Sequence, residues 1–319
     1  MSSLSQNKIK SIDLLQKYFS VVVFLLVVVM FSILGGQYRT WTNITNMGKQ
    51  SAVLIVAALG ETLVILAGSI DLSVGSLLGL SSVLTAGATR VIGDWAIFAG
   101  PIVGLTAGVC SGILFAKGRI PSFIVTLAML IILRGFVLIY TQGSPIWLKS
   151  DLVKSLAEVE VFSFPGIFFV ALCFCGLMYL VDEYTPFGRR IRAIGGDENV
   201  ARLSGIKIAR NYIYIFATSG FLVGCAGVLQ SSRSAAGIPT TGTGFEFDVI
   251  TAVVLGGTTM TGGVGGVLGT IMGALTMTAL SSGLNIIGVN PYTQYIVKGL
   301  VLMAAVFISI DRNKIGIIK

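Results

Sequence analysis

The sequence predicts an all-α polytopic membrane protein of about ten transmembrane helices in a single domain over 1–319, some of them interrupted or re-entrant. Three observations carry this. Hydrophobic residues make up 54% and charged residues 11% of the 319, with a mean hydropathy of +0.90, whereas soluble domains are about a quarter charged. Charge is absent between Lys17 and Arg39, Asp94 and Lys117, Glu160 and Asp182, Arg210 and Arg233, and Asp248 and Lys298. Each interval holds the roughly 20 residues of one crossing, and the last holds two. The apolar runs are continuous and not alternating, which argues against a membrane β-barrel.

The spans fall at about 19–34, 51–67, 72–89, 95–116, 121–140, 164–181, 213–230, 248–262, 264–285 and 292–310. An even number puts both termini on one side, and the basic residues say which. Lys8, Lys10 and Lys17 in 1–18, Lys117 with Arg119, six basic residues in 182–211, and Arg312, Lys314 and Lys319 in 311–319 follow the positive-inside bias. The termini and 182–211 are therefore expected in the cytoplasm. The acid-richer segments 141–163 and 234–248 are expected outside. The first apolar run leads into "GGQYRTW" with no cleavage pattern, so it reads as a span and not a signal peptide. The formal charge of +8 is spread over loop ends, so it does not point to nucleic acid.

A candidate internal repeat pairs "VILAGS" at 64–69 with "VVLGGT" at 253–258, and "VGSLLG" at 74–79 with "VGGVLG" at 264–269. Repeats of this kind build transport pathways between related halves. Glycine-rich helices also look alike simply because glycine supports close packing.

The chain has no histidine, which removes the commonest general base and metal ligand. Cys110, Cys173, Cys175 and Cys225 lie inside apolar runs, and Cys173 and Cys175 point to nearly opposite sides of a helix, so neither a disulfide framework nor a metal site is expected. An enzyme is therefore not expected. "GTTMTGGVGG" at 257–266 has the glycines of a phosphate loop without its lysine, so ATP is not bound here.

Polar candidates remain. Asp71 interrupts an apolar stretch beside Gly68, Ser69, Ser73 and Gly75, at an insertion cost of about 2.5–3.5 kcal/mol for an acid at the bilayer centre. It reads as a cap for the following helix, as a pathway group, or as both. Glu61, ten residues earlier, could pair with Arg134, the one base in the middle of a later span. In 182–211 the residues predict a turn at 186–188, a short amphipathic helix over 198–203 and a stop at Gly205. A loop this long suggests a docking surface for another protein, or a basic surface for anionic membrane lipid.

"TLVILAGSIDLSVGSLLGL", "AKGRIPSFIVTLAMLIILRG", "TPFGRRIRAIGGDENVARLSGI" and "GTGFEFDVITAVVLGGTTMTGGVGGVLGT" together resemble the permease subunits of bacterial monosaccharide ABC importers, the ribose permease type above all. The resemblance covers nearly the whole chain beyond the first span. It implies a permease in the bacterial inner membrane that pairs with a second copy, a cytoplasmic ABC ATPase that binds ATP and Mg, and a periplasmic or extracellular sugar-binding protein. It places ATPase docking on Phe187, Gly188, Arg189, Ala193, Gly195, Gly196, Ala201, Gly205 and Ile206. It also leaves Ser69 where the family has a second glycine, Asp197 where it commonly has Asn, and Glu61 where Met or Gln is frequent. Sugars being uncharged, the expected pathway offers brief hydrogen bonds from Asp71, Ser73, Glu61, Thr258 and Asn285. An ion-coupled secondary transporter for a small polar solute, using Glu61 and Asp71 as ion sites, is the alternative.

Overall fold

The computed structural model describes residues 20–309. The expected cytoplasmic segments 1–18 and 311–319 lie outside them, as do the outermost residues of the first and last expected spans. Thirteen α-helices follow in order among the described residues. They are α1 (Ser20–Leu34), α2 (Trp41–Leu66), α3 (Val74–Ala88), α4 (Ala99–Ala116), α5 (Ser122–Thr141), α6 (Asp151–Glu158), α7 (Gly166–Tyr184), α8 (Pro186–Gly196), α9 (Glu198–Leu203), α10 (Ile208–Ser234), α11 (Phe245–Leu255), α12 (Val267–Ile286) and α13 (Pro291–Ser309). Seven of them are long and apolar enough to cross a membrane: α2, α4 with its preceding 3-10 turn, α5, α7, α10, α12 and α13.

A helix lies at each of the ten expected positions, but α3 and α11 are shorter than a crossing, and the first is described only over Ser20–Leu34. The expected span at 248–262 is the main correction. Its helix ends at Leu255, because Gly257 turns left-handed at φ +89° and donates its N–H to Val254 O, while Thr258 N–H reaches Val253 O. This is the glycine stop of the Schellman type. The same bonds end α2 at Gly68 (φ +76°), with Gly68 N–H on Ile65 O and Ser69 N–H on Val64 O. Because α9 and α12 end in this way too, at Gly205 and Gly288, the shared form does not by itself establish a repeat.

A second correction concerns α2, which begins ten residues before the expected span. Its polar first turns, "WTNITNMGK", still form helix because the Thr40 hydroxyl accepts the N–H of Asn43 and the Asn43 amide holds Tyr38 O at 2.8 Å. The helix then runs through the middle of the bundle, buried from Ser51 to Leu66. α4 and α10 pack along their length through small residues. Gly100, Gly104, Gly108 and Gly112, one per turn, face the α10 backbone, and a Cβ on Gly104 or Gly220 would strike the other's carbonyl. By contrast α13 buries only Gln294 and Ala305 and turns Ile296, Leu300, Met303 and Phe307 outward.

The two expected external segments meet in a two-stranded antiparallel ladder, β1 (Ile146–Trp147) with β4 (Ala236–Gly237). They therefore share one face, opposite the end of α7 that leads into α8. Trp41, Trp95 and Trp147 are all exposed at helix ends or strands of that face, as an interfacial aromatic belt requires. Cys173 is exposed and Cys175 buried, on opposite sides of α7 as their spacing predicts.

Candidate functional site

Three polar features stand out of the apolar bundle. The first is the α2–α3 break at 67–73. Asp71 N–H donates to Glu61 Oε1 at 3.1 Å, and Asp71 Oδ1 accepts from the Ser73 N–H at 2.8 Å and its hydroxyl at 2.6 Å. All three residues are buried. Asp71 therefore closes a turn just before α3, while Glu61 braces the same turn from α2. Glu61 Oε2 has no partner among the described residues. The expected Glu61–Arg134 pair does not form. One Arg134 nitrogen instead donates to Pro239 O at 3.0 Å and Thr241 O at 2.9 Å, because a guanidinium reaching from α5 meets two loop carbonyls first.

The second feature is the surface formed by α8 and α9. The expected turn at 186–188 is instead the first turn of α8, with Pro186 leading and the Thr185 hydroxyl accepting the N–H groups of Phe187 and Gly188. α9 occupies 198–203 as expected, capped by Asp197 and stopped at Gly205 (φ +83°). Ile191 and Ile194 bury the inner side of α8. Arg192 ties it to α7, with one nitrogen on Asp182 O and the other on Asp182 Oδ2 at 2.9 Å and on Glu183 Oε1 at 2.7 Å. Of the docking candidates, Arg189, Ala193, Gly196 and Gly205 are exposed, Phe187, Gly195 and Ile206 half-buried, and Gly188 and Ala201 buried. Val200 and Leu203 on α9 are exposed apolar residues outside the expected docking set. Leu203, 89% exposed, is the more conspicuous.

The two features touch. A Cβ on Gly195 would overlap Leu66 O, the last residue of α2, and come within 2.6 Å of Gly263 N. Gly263 N–H itself donates to Leu66 O at 2.9 Å, and the Thr62 and Thr270 hydroxyls meet at 2.7 Å. Both helix breaks, 67–73 and 256–266, therefore rest directly on the α8 backbone. Thr258, an expected pathway residue, is fully buried in the second break and packs under Gly265, away from Asp71's hydrogen bonds.

The third feature is a partly open cavity of about 280 Å³ near the opposite face. Its walls come from α2 (Gln50), α10 (Gln230, Arg233), α12 (Thr278, Ser281), α13 (Gln294, Lys298) and the 241–245 loop with Asp248 of α11. Gln50 lies sixteen residues from Leu66, about 24 Å along α2 at 1.5 Å per residue, which sets the cavity far from α8. Lys298 Nζ and Asp248 Oδ2 form an ion pair at 2.7 Å. Of the expected pathway residues only Asn285 comes near, as its Oδ1 accepts from the Gln294 amide at 2.8 Å. Glu61, Asp71, Ser73 and Thr258 are not among the lining residues.

Residues 43–306 match the family described as branched-chain amino acid transport system / permease component. The chain belongs to this permease family. Relatives include the ribose import permease of Escherichia coli K12, 38% identical over 91% of this chain and 92% of the relative, and that of Bacillus subtilis, 40% identical over 97% of each. The xylose transport system permease of Haemophilus influenzae is 31% identical over 96% of this chain and 99% of its own length. No solved structure matches the chain. These relatives are permease components and not enzymes, and the seven apolar spans make this permease a multi-pass membrane protein.

Proposed function

We propose that the chain is the membrane permease of an ATP-driven monosaccharide importer, with ribose as its sugar. The observation that carries the reading is chain-long similarity to ribose import permeases at 38–40% identity, above the 31% to a xylose permease. The permease works as two copies in a bacterial inner membrane, about ten spans each. Both termini and the α8–α9 surface lie in the cytoplasm. ATP and Mg belong to a separate ATPase subunit, and a sugar-binding protein meets the opposite face.

The mechanics follow from the contacts. A push on exposed Arg189, Ala193, Val200 or Leu203 moves α8, whose buried Ile191 and Ile194 and Arg192 tie resist sliding over α7. The motion passes through Gly195 to Leu66 and Gly263, hence to both helix breaks at once. In this reading Asp71, Ser73 and Glu61 hold the first break in shape and wet the pathway when it opens, with Thr258 and Asn285 further along it.

Uptake of labelled ribose, xylose and leucine by cells lacking the chain and by cells with it restored tests the reading. Restored ribose uptake, unaffected by excess leucine, is expected. Restoration of xylose uptake alone would replace ribose, and restoration of leucine uptake alone would replace the sugar class.

A further inference from the structure

We propose that the cavity between α2, α10, α12, α13 and the 241–245 loop is a built seat for one neutral monosaccharide, held chiefly by Arg233, Gln50 and Gln294. The proposal rests on the sugar reading above and places the seat where, of the expected pathway residues, only Asn285 comes near.

Size comes first. An engineered cavity of about 150 Å³ holds benzene, so about 280 Å³ accommodates a five- or six-membered sugar ring with its hydroxyls. Its position follows from the helices: Gln230 and Arg233 sit in the last turn of α10, Lys298 two turns into α13 and Ser281 little more than one turn from the end of α12. The seat therefore occupies the half of the bundle away from α8, where a solute arriving from the opposite face enters.

Chemistry decides the class. Three charged residues line the cavity, and two of them, Asp248 and Lys298, satisfy each other at 2.7 Å. The Arg233 side chain, exposed and on the cavity wall, makes no hydrogen bond or ion pair among the described residues, which leaves its guanidinium fork free for a ligand. Parallel N–H groups of that kind suit a pair of neighbouring hydroxyls. Gln50, with no hydrogen bond of its own among the described residues, supplies a donor and an acceptor, and Gln294 leaves its carbonyl oxygen for the ligand while its nitrogen holds Asn285 and Val289. Tyr295 and Phe245 add apolar surface for the C–H side of a sugar ring. An aliphatic amino acid fits less well. Its carboxylate has Arg233, but its ammonium group finds the one lining carboxylate already taken by Lys298.

The loop that floors the seat is itself fixed. Arg134 clamps Pro239 and Thr241 carbonyls, and Gly75 and Gly79 of α3 let Gly242 and Thr241 approach so closely that a Cβ on either would overlap the loop. A walled, pre-formed site results, which is what selective binding of a small polar ligand requires.

The test uses membranes from cells making the full transporter with Thr243→Cys, an exposed position on the cavity wall. The rate at which a small thiol reagent modifies position 243 is followed by mass spectrometry, which separates it from exposed Cys110 and Cys173. Ribose, xylose, arabinose, galactose and leucine are added in turn. The transported monosaccharide is expected to slow modification at least threefold, and Arg233→Ala in the same background to raise the sugar concentration needed at least tenfold. Protection by xylose and not ribose sustains the seat while the ribose reading falls. Three outcomes overturn the seat: no protection by a sugar that the cells demonstrably import, protection by leucine alone, or protection unchanged by Arg233→Ala.

Discussion

The α2–α3 and α11–α12 breaks carry similar sequence and end their first helices with the same glycine-turned bonds, yet they are held by different chemistry. The first is seven residues long and is held by side chains: Asp71 on Ser73, Asp71 N–H on Glu61. The second runs over 256–266 and is held mainly by backbone, with Gly257, Gly262, Gly263, Gly265 and Gly266 all at positive φ and the Thr259 hydroxyl donating to Gly262 O at 3.2 Å. A carboxylate in the bundle is therefore a local device at one break and not a requirement for interrupting a helix. What the two share is α8, since Gly195 touches Leu66 on one side and Gly263 on the other.

Substitutions that add volume at the shared contact should do most. Gly195→Val is expected to cut uptake tenfold or more and to lower the melting temperature in detergent, because its Cβ would meet two backbones that cannot both yield. Gly196→Val, with nothing within 4 Å of its Cβ, serves as the comparison and should leave the melting temperature in place. Equal effects at both positions would show that α8 is not seated as described.

Next in size is the backbone-held break alone. Gly265 has φ +129° and its Cβ would lie 2.5 Å from Thr258 Cα, so Gly265→Ala should destabilise by about 1–3 kcal/mol, read as a lower melting temperature in detergent.

The side-chain-held break should be more forgiving. Asp71→Ala removes one turn-closing acceptor, a loss on the order of 1 kcal/mol for a capping group. Uptake should fall several-fold while membrane abundance and assembly stay near wild type, and wild-type transport by that variant would remove Asp71 from the pathway. Glu61→Gln should do least. The amide keeps an oxygen for Asp71 N–H, and Glu61 Oε2 has no partner to lose. Uptake within about twofold of wild type is expected, because the substitution keeps the one hydrogen bond that Glu61 makes. A large loss would mean that the carboxylate itself is used, which favours the ion-coupled alternative.

Much of this was legible in the residues. The expected spans overlap every long helix, and the amphipathic pattern over 198–203 with its stop at Gly205 gives α9 its bounds. The end of the eleventh helix is not legible in hydropathy, which runs on through "GGTTMTGG", whereas backbone geometry turns at Gly257. The early start of α2 is hidden for the opposite reason, since polar turns capped by Thr40 carry no apolar signal. The cavity draws its walls from residues as far apart as Gln50 and Lys298, so no local motif announces it. One signal was available: Asp248 and Lys298 bound the longest uncharged interval, and opposite charges left alone at its ends are natural partners.

The most direct test of the account is uptake of labelled ribose at low concentration in cells with the chain deleted and restored, under an uncoupler or under ATP depletion. Uptake that returns with the chain, survives the uncoupler and stops with ATP depletion is the predicted result. Restored uptake that the uncoupler abolishes while ATP is held constant would contradict it.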